Sequence, residues 1–175
     1  MGAPYQPSLL RLLHAGTGLL VLGAWLSGLV VLFTLDRRWG TLPLALPGEW
    51  VDIHGTVGVA LLPVALLFLV YAATVGRRRL RRFTNLAPLL ALVLAIGSGK
   101  LMDEDWLREG LRNHLVYDVH LSAWLLLAIT VVSHTLGSLR LGGMPLLGSM
   151  VQLGWRPNDP PSAWWGQLRK GITGR

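Results

Sequence analysis

The chain has 175 residues, of which 52% are hydrophobic and 14% are charged, so it has room for one domain and the composition of a membrane protein. It contains no cysteine, which excludes disulfides, thiolate-bound iron–sulfur clusters and covalent thioether attachment of a haem. The net charge of +7 does not indicate nucleic-acid binding, because the positive residues flank apolar stretches, as in the positive-inside pattern of membrane proteins.

Four stretches without Asp, Glu, Lys or Arg predict an all-α, integral membrane four-helix bundle. Each comes close to or exceeds the roughly 20 residues that cross the hydrocarbon core of a bilayer as a helix. The first is too long for the apolar region of a signal peptide and precedes no cleavage site, so it stays as a helix. The stretches are Leu12–Leu35, Ile53–Gly76, Phe83–Gly99 and Val119–Leu139.

Flanking residues set the expected helix ends and divide the chain into two parts. We expect residues 1–141 to form the membrane domain. Residues 142–175, rich in proline and tryptophan, are predicted to lie at the cytoplasmic membrane surface with little regular structure. The predicted helices run from about Ser8, as N-cap, to Leu35, from Asp52 to Val75 with a kink at Pro63, from Asn85 to Leu101, and from Leu115 to Arg140.

The distribution of arginines predicts the orientation in the membrane. Five arginines lie between Arg77 and Arg82, in the connection between the second and third helices. The first and third connections carry more acidic than basic residues. The positive-inside rule therefore places the second connection and both termini in the cytoplasm. The expected location is therefore a membrane with one cytoplasmic face.

Four of the five histidines lie within or at the ends of the predicted helices, and their depths match in pairs. His120 and His134 are 14 residues apart, so they face one side of the helix within about 40° and lie about 21 Å apart along it. The predicted topology puts His14 level with His134, and His54 level with His120. Two imidazole pairs at two depths are what two six-coordinate haems require. A single histidine of this kind is also explained by an interhelical hydrogen bond.

Zinc or copper is the main alternative to haem. Either metal prefers three or four ligands within a few ångströms, which the separation of about 21 Å along one helix excludes for all four histidines together. His114 lies 20 residues before His134 and therefore faces roughly the opposite side of the helix. We interpret it as an interfacial histidine, near a haem propionate if it has a role.

Small and basic residues near the predicted ligands suggest further contacts with a haem. Gly18 and Gly58 follow His14 and His54 by one helical turn and would leave room for the macrocycle. Gly137 follows His134 by a similar distance. Close helix packing through glycine is the alternative. The candidate propionate partners are Arg11 and Arg140 at the inner surface, and Lys100 and Arg112 at the outer surface; all four would also serve as snorkelling anchors.

With these residues the chain resembles the prokaryotic cytochrome b561 family, which includes the cytochrome b subunits of nickel–iron hydrogenase and formate dehydrogenase. Members begin their first helix with Arg-x-x-His-Trp, and residues Arg11 to Ala15 match this pattern except for the final alanine. The family has a second histidine at the start of the second helix, like His54, and two on the fourth helix, like His120 and His134. The resemblance covers about residues 8–141.

The resemblance implies an electron carrier with two b haems that exchanges electrons with membrane quinone. It also implies a location in a prokaryotic plasma membrane or a photosynthetic internal membrane. The acidic loop between Asp103 and Glu109 is a docking candidate for a basic redox partner protein or subunit, and an ordinary solvated surface is the favoured alternative. A small quinone-linked oxidoreductase acting alone, on a reductant such as superoxide, is a related hypothesis. A haem-free membrane anchor, assembly factor or transporter is the alternative of another class.

Overall fold

The computed structural model describes residues 6–36, 39–43, 46–103, 110–154 and 156–173, without the side chains of 103 and 110–113. All regular structure in these ranges is helical. Residues 104–109, which make up most of the acidic loop named as a docking candidate, lie outside the described residues.

Four long helices confirm the prediction of four apolar spans. Each is long and apolar enough to cross a membrane. At most 22% of the most apolar window of any span is buried within the chain, which leaves a surface suited to lipid. The helices are α1 (Ser8–Val31), α2 (Trp50–Ala73), α3 (Phe83–Asp103) and α4 (Gly110–Val151). After Val31, α1 continues as one π-helical turn at Leu32–Asp36.

The helices form two antiparallel hairpins, α1 with α2 and α3 with α4. Gly28, late in α1, faces His54, early in α2, and Gly99, late in α3, faces His120 of α4. The hairpins meet mainly along α1 and α4. Their shared core consists of small and aliphatic residues from α2, α3 and α4: Leu61, Ala65, Ala91, Leu92 and Leu127.

The C-terminal segment has more regular structure than expected. α4 continues beyond Arg140 to Val151, interrupted at Gly143, where φ is 62° and ψ is −160°. A fifth helix, α5, covers Pro161–Thr173. Trp164 and Leu168 of α5 pack against an apolar cluster formed by Leu9, Leu10 and Tyr71. This burial explains why the segment folds, because its tryptophan and leucine side chains find an apolar partner at the start of α1.

The start of α1 is capped by a distant carboxylate, not by Ser8 as predicted. Pro7 occupies the cap position, and Ser8 is the first helical residue. The backbone N–H of Ser8 donates to Oδ2 of Asp159 at 2.6 Å, and the amide of Gln167 donates to Oδ1 at 2.6 Å. A helix start leaves backbone N–H groups unpaired, and a carboxylate there also favours the helix dipole.

The N-terminus, the connection between α2 and α3, and α5 all lie at one end of the bundle. Arg79 of the connection donates to the side chain of Gln6, and Asp159 contacts Ser8. We call this end, defined by Ser8, Arg79 and Asp159, the terminal end, and the opposite one the distal end. Both described ends of the chain thus lie on one side of the bundle. That this side faces the cytoplasm stays a prediction from the distribution of charge.

Candidate functional site

The structure brings His54 of α2 next to His120 of α4 at the distal end. Their ring centroids are 6.0 Å apart, and the ring planes make an angle of 71°. We call these two residues the distal pair. His54 lies in the first turns of α2, and α4 reaches it because the two hairpins pack side by side.

The structure also brings His14 of α1 next to His134 of α4 at the terminal end. Their ring centroids are again 6.0 Å apart, with an interplanar angle of 39°. We call them the terminal pair. Phe68 of α2 meets the His14 ring edge-on, with centroids 6.0 Å apart. The two expected groupings of side chains are therefore present, while their role as metal ligands stays a prediction.

The common spacing fits two imidazoles that share one iron. With each ring nitrogen about 2 Å from the metal, and the ring centre about 1 Å behind the nitrogen, the centroids lie roughly 6 Å apart. Both angles are compatible with this arrangement, because each ring can rotate about its bond to the metal.

In the distal pair, both Nδ1 atoms have a serine partner on the preceding helix. Nδ1 of His54 lies 3.1 Å from Oγ of Ser27, and Nδ1 of His120 lies 3.0 Å from Oγ of Ser98. Each serine hydroxyl donates its single proton to a backbone carbonyl one turn earlier, at 2.8 Å for Ser27 and 2.7 Å for Ser98. With its proton given to a carbonyl, each serine oxygen can accept from Nδ1–H, and this tautomer leaves the lone pair on Nε2 available for a metal.

The terminal pair is held differently. Nδ1 of His134 lies 3.1 Å from the backbone carbonyl oxygen of Thr84. A carbonyl only accepts, so Nδ1 carries the proton and the lone pair is on Nε2. Nδ1 of His14 is buried and has no hydrogen-bond partner among the described residues. Three of the four histidines are thus held in the tautomer that a metal ligand needs.

Two glycines allow the distal imidazoles to approach the preceding helix. A Cβ placed on Gly28 would lie 3.1 Å from Cε1 of His54, and one on Gly99 would lie 3.1 Å from Cε1 of His120. Sequence reasoning missed both Ser-Gly pairs. A signal was present, because the pattern Ala-x-x-Ser-Gly occurs at residues 24–28 and again at 95–99.

The predicted glycines differ in their surroundings. A Cβ on Gly18 or Gly58 would meet nothing within 4 Å, so open space lies beside both, as a flat macrocycle next to the ligand would need. A Cβ on Gly137 would lie 3.3 Å from the side chain of Thr84. Ordinary close packing of α3 and α4 explains Gly137.

The four predicted propionate partners lie in different environments. Arg11 is 2% exposed and donates to the backbone carbonyl of Gly154 at 2.6 Å and to Oε1 of Gln152 at 3.3 Å. Its Nε is buried without a partner among the described residues. Lys100 and Arg140 are exposed. The side chain of Arg112 lies outside the described residues. His114 is exposed, in agreement with an interfacial position.

Two stacked tryptophans join the hairpins just inside the distal pair. The rings of Trp25 on α1 and Trp124 on α4 have centroids 4.7 Å apart and an interplanar angle of 4°. The Trp124 indole also donates to the backbone carbonyl of Trp25 at 3.1 Å. This contact fixes α4 against α1 one turn after His120, and so helps to set the distance between the rings of the distal pair.

The donor set of each pair is two neutral nitrogens. Among the described residues, no group of three or more His, Cys, Asp or Glu side chains forms. A porphyrin supplies four equatorial nitrogens of its own, so two axial imidazoles complete the coordination of its iron. No family model, curated protein or solved structure matches the chain. The chemistry of the two pairs therefore has to be argued from their own residues.

Proposed function

We propose that this chain is a bis-histidine diheme cytochrome b that carries electrons across a membrane. His14 and His134 hold one haem, and His54 and His120 hold the other. The observation that carries the proposal is the occurrence of two imidazole pairs, each with a centroid separation of 6.0 Å, at opposite ends of one apolar bundle. Bound haem iron supplies one-electron redox chemistry.

The distance between the two histidine pairs suits electron transfer across the bilayer. α4 supplies one histidine to each pair, and the 14 residues between them correspond to about 21 Å of helix. This distance covers most of the roughly 30 Å of hydrocarbon in a bilayer. One electron acceptor under each surface is the arrangement that transmembrane transfer requires.

The apolar surroundings and the fixed tautomers support the same proposal. Nδ1 of His54, His120 and His134 each contacts an oxygen. A hydrogen bond of this kind orients a metal-bound imidazole and makes it a stronger ligand. The absence of cysteine fits haems retained by axial ligands and packing alone.

Exchange of electrons with quinone is the part of the proposal that comes from the resemblance to the cytochrome b561 family. A shallow groove of about 270 Å³ between α3 and α4 offers one approach from the lipid to the terminal pair. Thr84, whose carbonyl contacts His134, lines it together with Ser133 and Arg140. We propose that the terminal end faces the cytoplasm, since the arginines between Arg77 and Arg82 lie there.

The proposal is tested by the haem content of the full-length protein purified in mild detergent. We expect two b haems per chain by pyridine haemochrome and a reduced-minus-oxidised spectrum typical of six-coordinate low-spin haem. Addition of a short-chain quinol should reduce the haems. Protein that is produced with ample haem supply, is folded, and contains none would favour the haem-free anchor, assembly factor or transporter instead.

A further inference from the structure

We infer that Ser27 and Ser98 are positioning residues of the distal haem, which fix its two axial imidazoles and lower its reduction potential. The inference rests on the proposed function, because it requires His54 and His120 to be iron ligands. Neither serine touches the metal in this arrangement. Each acts through the Nδ1 atom of one histidine.

Both serines are buried in the helix that precedes their histidine. Ser27 of α1 and Ser98 of α3 are each 4% exposed. Their oxygens lie 3.1 Å and 3.0 Å from Nδ1 of His54 and His120. Interior polar groups in a membrane protein are costly unless they are paired, and each of these serines pairs with both its own helix and one imidazole.

The hydrogen-bond directions follow from counting protons. Each hydroxyl has one proton, and the nearest acceptor is the carbonyl four residues earlier, Gly23 for Ser27 and Leu94 for Ser98. A second carbonyl, that of Ala24 or Ala95, lies 3.1 Å or 3.2 Å from the same hydroxyl oxygen. When the hydroxyl proton goes to a carbonyl, the serine oxygen presents its lone pairs to Nδ1, which favours keeping the proton of a neutral imidazole there. Nε2 is left as the metal-binding atom in both rings.

The arrangement is repeated on both sides of the distal pair and is absent from the terminal pair. Gly28 and Gly99, which directly follow the serines, bring each backbone close to Cε1 of the ring that the serine holds. At the terminal end, by contrast, a backbone carbonyl holds His134. His14 has no Nδ1 partner among the described residues. A serine is therefore not a general requirement for histidine in this bundle.

Two such hydrogen bonds have an electronic consequence. An Nδ1–H that donates makes Nε2 more basic, and a more basic axial ligand stabilises oxidised iron more than reduced iron. Ser27→Ala and Ser98→Ala each remove one oxygen acceptor without touching the ligand. Each should therefore raise the reduction potential of the distal haem and leave the terminal haem unchanged.

The experiment is a redox titration of the purified holoprotein, followed in the visible spectrum. The His120→Ala variant, which should retain only the terminal haem, identifies which of the two waves is distal. We expect each serine variant to change the reduction equilibrium of the distal haem about tenfold, which is 59 mV for a one-electron couple. Ser27→Thr and Ser98→Thr, which keep the hydroxyl, should restore the wild-type potential.

Ser122→Ala is the matched control. Ser122 is an exposed serine of α4, whose hydroxyl donates to the carbonyl of Asp118 in its own helix. Both potentials should be unchanged in this variant. A shift equal to that of the Ser27 and Ser98 variants would contradict a specific role for the two buried serines.

The remaining outcomes separate this inference from the proposed function. Wild-type protein without haem would overturn the proposed function. Two haems with unchanged potentials in both alanine variants would overturn the role of the serines and leave the proposed function standing. Selective loss of the distal haem in an alanine variant would support the inference. Equal loss of both haems would contradict it, because the serines would then stabilise the fold as a whole.

Discussion

The two ends of the bundle present imidazole pairs with the same spacing but hold them by different means. At the distal end, both rings lie against a Ser-Gly pair of the neighbouring helix. At the terminal end, one ring contacts a backbone carbonyl and the other has a buried Nδ1 without a partner among the described residues. The spacing follows from how the four helices pack, whereas the electronic surroundings depend on single side chains.

The two ends also differ in their buried charge and in whether the C-terminal segment covers them. The terminal end is covered by the C-terminal segment, which buries Arg11 one helical turn before His14. The distal pair has no counterpart of this buried cation among the described residues of its two helices. Under the proposed function, the two haems should therefore have separate redox properties even though each would be held by two histidines.

The largest expected effect is the loss of one haem when one pair is broken. His54→Ala or His120→Ala should lower the haem content from two to one per chain and abolish the distal redox wave, because a single imidazole holds the haem poorly. His14→Ala or His134→Ala should abolish the other wave. The measurement is pyridine haemochrome together with a redox titration of each variant.

His114→Ala is the control for the histidine variants, since His114 is exposed, and it should retain two haems. Loss of the same wave from variants of both pairs would show that the two pairs do not form independent sites.

A smaller effect is expected when Gly99→Ala adds one methyl group at the distal end. Gly99→Ala puts a Cβ about 3 Å from the His120 ring, and overpacking of this kind typically costs about 1–3 kcal/mol. Haem should leave the distal site faster, by about fivefold to a hundredfold, while the terminal haem is retained. The measurement is the rate of haem transfer to a soluble haem-binding acceptor protein.

Gly97→Ala is the matched control, two residues earlier on the same helix, where a Cβ would meet nothing within 4 Å. The comparison of the two variants cancels the general preference of helices for alanine over glycine. Equal rates of haem loss from both variants would contradict a close fit between α3 and the His120 ring.

Wild-type protein should titrate in two waves, with the terminal haem at the higher potential. In the proposed cytochrome, the buried guanidinium of Arg11, one turn before His14, would favour the reduced iron, which carries one less positive charge. Two Nδ1 hydrogen bonds would favour the oxidised iron at the distal end. We expect the two reduction equilibria to differ by about tenfold, with electrons passing from the distal to the terminal haem. A redox titration of the His120→Ala and His134→Ala variants assigns the waves, and the reverse order would contradict this assignment.

The sequence was sufficient to predict the four apolar spans and which histidines lie next to each other. A membrane helix must be apolar throughout, so the charge-free stretches mark it directly. The direction of each helix then sets the depth of every histidine in it, and His14 and His134 indeed lie together. This reasoning needs only the helical rise and the topology.

Contacts between residues far apart in the sequence, and the contacts of Ser27 and Ser98 with the histidines, were not predictable in the same way. The cap of α1 comes from Asp159, 151 residues away, and no local pattern connects the two. α4 was expected to end near Arg140, where the apolar stretch stops, but it continues to Val151. Ser27 and Ser98 also escaped notice, because serine and glycine in a membrane helix are equally typical of ordinary close packing.

A smaller effect is expected from the carboxylate that closes the terminal end. Asp159→Ala removes the acceptor for the backbone of Ser8 and for Gln167, and loss of a helix cap typically costs about 1 kcal/mol. Opening of the C-terminal segment should become about fivefold more frequent. The measurement is the initial rate of trypsin cleavage at Arg169 and Lys170, which are exposed. The control variant Asn158→Ala, changed at an exposed neighbouring position, should be cleaved by trypsin at the wild-type rate.

The contribution of Asp159 should also depend on pH. Burial raises the pKa of Asp159, but hydrogen bonds from Ser8 and Gln167 and the charge of Arg11 outweigh it and hold the pKa below its ordinary value of 3.8. A carboxylate with a lowered pKa in the folded state stabilises that state fully above the unfolded pKa, and loses this effect as the pH falls through the folded pKa. Amide hydrogen exchange in α5 should therefore be faster in Asp159→Ala than in wild type at pH 7, and the difference should shrink as the pH falls below 3.8 and through the lowered pKa of Asp159. A difference that persists at low pH would show that Asp159 acts through packing and not through its charge.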